Sequence, residues 1–107
     1  MTASSQSLVN LSTWFVDIQT VAVAGTAERV PSHPVLQGVG VTIRAIPTNT
    51  DNVFIGNSQT NAQGTDRVTL RPGDSVTLYI ANSNLVWVDA VVATEGVEVF
   101  AEGPGAA

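Results

Sequence analysis

The side chains that could carry chemistry are few and scattered. His33 is the one histidine and there is no cysteine, so thiolate nucleophiles, disulfides and sulfur-ligated metals are excluded together. His33 lies between Pro31 and Pro34 with no serine and carboxylate in a triad-like arrangement, and reads as a solvated loop histidine rather than a general base. The carboxylates Asp17, Asp51, Asp66, Asp74, Asp89, Glu95, Glu98 and Glu102 are dispersed, and no DxDxDG loop gathers them for calcium. A carboxylate pair for glycoside hydrolysis would need a cleft that a domain of this size rarely builds. Three short matches are structural. Asn10-Leu11-Ser12 fits the N-glycosylation pattern but follows no secretion signal, Arg71-Pro72-Gly73-Asp74 is a turn whose proline breaks the adhesion order, and Gly38-Val39-Gly40 enters a strand rather than a helix. The expectation is a protein that is not an enzyme and uses no metal and no cofactor.

The aromatic residues have more to offer, through strand parity. If Val76, Leu78 and Ile80 face a core, Tyr79 faces away; the same count turns Trp87 away from Val86, Val88 and Ala90. It likewise turns Phe100 away from Val97, Val99 and Ala101, and Phe54 away from Val53 and Ile55. Four aromatics of the wrong parity mean either strands covered on both faces or bulged, or a surface for subunit or partner contacts. Trp87, Tyr79, Phe54 and Phe100 are the candidate interface residues. Trp14 and Phe15 join them, either anchoring an N-terminal arm or belonging to the first strand.

The elements that must position these residues are short strands closed by turns. Thr13 to Val23 is dense in β-branched and aromatic residues and ends at Gly25-Thr26; Leu8, Leu11, Phe15 and Ile18 also fit one helical face, but the absence of a cap favours a strand. Ala27 to Val30 is a short return, and Pro31 and Pro34 force an extended connection. Val39 to Ile46 alternates most cleanly and stops at Pro47; Thr48 to Asn52 is turn chemistry, from which Val53 to Ile55 is expected to pair back as a hairpin. Asn57 to Asp66 reads as a polar loop suited to contacts. Arg67 to Leu70 and Ser75 to Ala81 flank Pro72-Gly73, the central pair of a type II turn, and Asn82-Ser83-Asn84 turns again. Val86 to Thr94 and Val97 to Ala101 follow. The fold expected is all-β, a single β-sandwich or jelly-roll-like barrel over residues 13–102, with an arm at 1–12 and a loose tail at 103–107.

Composition narrows the partners. A chain of 107 residues makes one domain, and charged residues contribute only 12%, so Thr, Ser, Asn, Gln and Gly must build the surface. There is no lysine, and four arginines stand against nine acids for a net charge of −5, which argues against phosphate backbones. Neither nucleic acid nor membrane is expected as a partner, and no run has the length and apolarity of a bilayer span or a signal sequence. A soluble protein made in the cytosol is expected.

The order of runs AGTAERV, GVTIRAIPTNTDNVFIGNS, RVTLRPGDSVTLYIANSNLVWVDA and VEVFAEG resembles small virion-associated proteins of tailed bacteriophages. The resemblance covers Val21 to Ala101, about three quarters of the chain, and rests on turns and core positions. It implies a virion structural protein with a sandwich or jelly-roll fold, most economically a capsid decoration (cement) protein. Such a protein would sit as a homotrimer on the outer capsid surface, bind the major capsid protein and assemble in the host cytoplasm. A head-fibre, spike or tail adaptor role is the alternative within that setting. A carbohydrate-binding module using exposed aromatics is the alternative outside it.

Overall fold

The structure, a computed structural model, describes residues 14–102. The expected arm, the Asn10 triplet within it and the tail lie outside the described residues. The chain is mostly β, as its alternation demands. Its elements are β1 (Trp14–Thr20), β2 (Glu28–Arg29), β3 (Val41–Ala45), β4 (Val53–Gly56), α1 (Gln59–Gln63), β5 (Val68–Leu70), β6 (Ser75–Leu78), β7 (Trp87–Ala90) and β8 (Gly96–Glu102). Two four-stranded antiparallel sheets result, in the orders β1-β8-β3-β6 and β2-β7-β4-β5. Along the chain the outermost strands pair first: β1 with β8, β2 with β7, β3 with β6 and β4 with β5.

One core serves both sheets. Val41, Ile43, Val97 and Val99 from the first sheet and Val53 and Val88 from the second are fully buried in a single cluster. Valine and isoleucine at alternate positions suit this arrangement, because branched side chains pack tightly on a pleated surface while the intervening Thr42, Arg44 and Glu98 stay near water.

The expected hairpin between the third and fourth strands does not form: β3 and β4 belong to different sheets. Their connection is pinned elsewhere. The Asn49 amide donates to the Gly96 carbonyl at 2.8 Å, and the Thr50 N–H and hydroxyl donate to the Glu95 carboxylate at 2.7 and 2.8 Å. Those bonds carry the chain from one sheet to the other. The Thr50 backbone donor above all holds the Glu95 carboxyl below the ordinary glutamate range, outweighing the opposing desolvation with the help of the Thr50 hydroxyl and the Asp51 N–H. The Pro72-Gly73 turn is present, with Gly73 at φ +87° and the Asp74 N–H on the Arg71 carbonyl at 2.9 Å, and it too joins strands of different sheets.

The expected polar loop Asn57–Asp66 contains a helix. Ser58 caps α1 by accepting from the Asn61 N–H at 3.1 Å, and only Ala62 of the helix is buried, where it packs over β4. The strand over Val86 to Thr94 is also shorter than expected. Asp89 is buried because its carboxylate accepts from the Gly25 N–H at 2.9 Å, and the chain turns after Ala90 to place Thr94 at φ +72°.

Candidate functional site

His33 is not simply a solvated loop residue. Its Nε2 lies against the Asp17 carboxylate of β1, and its ring stacks on Phe15 with centroids 4.3 Å apart and planes 13° from parallel. This contact bridges the edge of the first sheet, β1, to the Pro31–Pro34 connection that continues the edge of the second. Ser83 stands nearby and would complete a triad in composition, but it is fully buried. Its hydroxyl donates to the Pro31 carbonyl at 2.5 Å and accepts from the His33 backbone N–H at 2.9 Å. Asp17, Phe15, His33 and Ser83 therefore clasp two edges together, and the serine offers no surface to a substrate. Among the described residues no group of three or more His, Asp or Glu side chains is arranged to hold a metal ion.

The six aromatic candidates separate onto three surroundings. Phe15 faces the core and is only 7% exposed, which leaves it nothing to offer a partner. Phe54 and Trp87 lie on the outer face of the second sheet, half-buried, each under an arginine: the Arg67 guanidinium is 3.5 Å from the Phe54 ring centre and that of Arg29 is 5.7 Å from Trp87. Arg67 also donates to the Ala62 carbonyl at 3.2 Å, so this cap is tied to α1. These two rings are largely covered by their own chain.

Trp14, Tyr79 and Phe100 lie on the outer face of the other sheet. Trp14 is 64% exposed and Tyr79 76%. Beyond Trp14, β1 presents Val16 and Ile18, 53% and 56% exposed, at alternate positions, while Tyr79 follows β6 at the opposite edge of the sheet. Register places Val16 directly beside Phe100, which is followed across the sheet by Thr42 and Thr77, whose hydroxyls are bonded at 3.0 Å. The next row runs from Ile18 through Glu98 to Arg44, and the last two are joined by a 2.6 Å ion pair. The face is thus apolar along β1 and Phe100, with Arg44 and Glu98 neutralising each other and the exposed Glu102 carboxylate beside Trp14 at its margin. Parity alone misses this stripe, because β1 reverses the usual alternation: Phe15, Asp17 and Gln19 point inward while Trp14, Val16 and Ile18 point outward. The mixed apolar composition of Trp14 to Ile18 was the available signal.

No family model, curated protein or solved structure matches the chain. A contiguous apolar stripe on an edge strand is something soluble proteins avoid unless another surface covers it.

Proposed function

We propose that this chain is a virion structural protein of a tailed bacteriophage, a jelly-roll domain that decorates the outer capsid surface as a homotrimer and strengthens the shell through contacts with the major capsid protein. The strand order supports the fold. A ribbon of antiparallel pairs, β1 with β8 through β4 with β5, wound into two facing sheets is the order of a jelly roll, an architecture used by viral shell proteins and lectins.

The observation that carries the functional reading is the outer face of the β1-β8-β3-β6 sheet, where Trp14, Val16 and Ile18 lie exposed along β1 with Phe100 beside them and Tyr79 at the opposite edge. It has the interface chemistry of large apolar and aromatic groups with few uncompensated charges. A cement protein needs only moderate contacts, since symmetry repeats each one and the linked copies bind together. The low share of charged residues, 12%, suits a surface that packs against others.

Sugar binding is the second reading, favoured by the two exposed rings of Tyr79 and Trp14 on one face. The deciding experiment adds the purified protein to phage shells that lack it and measures saturation and shell melting. Saturable binding with a raised melting temperature supports decoration. No binding to shells together with specific signals on a glycan array overturns it in favour of the sugar-binding module.

A further inference from the structure

β5 and β6 end their respective sheets and flank an open cleft of about 730 Å³. Its apolar walls are Ile55, Val68, Leu78, Ile80, Leu85 and Val86, with the polar Asn57, Asn61, Asp66 and Arg67 also lining it. Val68 stands opposite Ile55 in register, so both side chains point toward the core; Ile55 is buried, yet Val68 is 47% exposed because no described residue covers it. Leu78 and Ile80, packed against the core cluster, are likewise only half-buried. β5 has three residues and cannot shield β6.

The backbone around the cleft is as underused as its side chains. Among the described residues β5 pairs only with β4, and β6 only with β3. Among the described residues the only backbone hydrogen bond between the two segments is the Arg71–Asp74 turn itself. A slot with apolar walls and free strand edges suits an extended polypeptide, which supplies side chains to the slot and N–H and C=O groups to the edge. A small molecule could fill the slot but could not pair the edge.

We infer that the occupant is the segment Leu8–Leu11 of a second copy of this chain, laid as a strand beside β6. This rests on the reading that copies associate. The thirteen residues before Trp14 contain no charged side chain, and Leu8, Val9 and Leu11 form their apolar cluster. The donor must be another copy. β1 and β6 are the opposite edges of a four-stranded sheet, so a strand beside β6 lies four strand spacings from β1, about 19 Å. Leu11 is three residues from Trp14, a reach of about 10 Å when fully extended. Donor and acceptor surfaces differ, so the contact is head-to-tail and can close a ring of three.

Because the chain has no cysteine, engineered thiols report only the intended pair. Full-length Leu11→Cys and Val68→Cys chains are co-expressed and oxidised, and the disulfide products are separated by mass. The expected result is a mixed dimer exceeding either like-with-like dimer by about tenfold, reflecting the high effective concentration of docked groups. A Leu8→Asp/Leu11→Asp chain should also fall to single-chain mass with an unchanged urea midpoint. A statistical mixture of dimers while the wild-type chain remains oligomeric overturns the exchange and leaves self-association standing. A single-chain mass for the wild type with no cross-link overturns both. An intrachain bridge in a Leu11→Cys/Val68→Cys double variant overturns donation from a second copy.

Discussion

Replacing Trp14 by alanine separates attachment from folding more cleanly than any other change on the exposed face. A fully buried tryptophan removes about 150–250 Å² from water, worth roughly 4–6 kcal/mol at about 25 cal/mol per Å². In the free chain the residue is already 64% exposed, so about two thirds of that area is left for a partner to cover. Full coverage would then contribute roughly 2.5–4 kcal/mol per contact, an upper bound because binding also orders side chains. The change removes little from the core. Phe15 and the β1–β8 pairing stay in place, so the urea midpoint should shift by less than about 1 kcal/mol in stability. Affinity is read by titrating shells with labelled protein, and folding by urea denaturation of the same preparation. The expected outcome is a loss of affinity of about thirtyfold or more with near-normal stability. Unchanged affinity and unchanged stability together would refute the assignment of this face to attachment.

Other changes probe the framework behind that face. Gly96→Ala should destabilise by about 3 kcal/mol or more, because a Cβ there would stand 1.9 Å from the Gln19 carbonyl oxygen and 2.7 Å from the Thr20 Cα; thermal unfolding checks it, and a loss below about 1 kcal/mol would contradict the close approach of β1 and β8. His33→Ala should cost about 1–3 kcal/mol through the lost Phe15 stack and the unpartnered Asp17, and a double-mutant cycle with Asp17→Asn should show coupling of about 1 kcal/mol. Glu95→Gln tests the pinned crossing. The Glu95 carboxyl lies lower in the folded chain than the ordinary value of 4.5, so its contribution is present above that pH and lost as pH falls through the folded value. The wild-type advantage in melting temperature over the glutamine variant should therefore shrink below about pH 4.5, and an advantage that grows with acid would refute the assignment.

Strand positions were legible in the sequence where alternation is strict. Val41, Ile43 and Ala45 announce both the strand and its buried face. Partner choice was not, because period two says which side chains seek the core and not which sheet carries them: β3 and β4 both present branched residues inward from opposite sides of one core. The crossing depends on Asn49 and Glu95, whose contacts join residues more than forty positions apart. α1 was hidden because QTNAQ has no apolar face to show a helical period, leaving the Ser58 cap as its one local sign. The candidate face was half legible. Parity turned Tyr79 and Phe100 away from the core, but put Phe54 and Trp87 in the same class with no means of seeing that arginines cover them on the other sheet. His33 and Asp17 are sixteen residues apart and meet only because two sheet edges do.

The most direct test of the account is the mass of the full chain in dilute solution, measured by light scattering during size exclusion. Association of copies through exposed surfaces predicts a particle of three chains, each of 11.1 kDa. A stable single chain with Trp14 and Tyr79 open to solvent, as judged by fluorescence quenching, would contradict it.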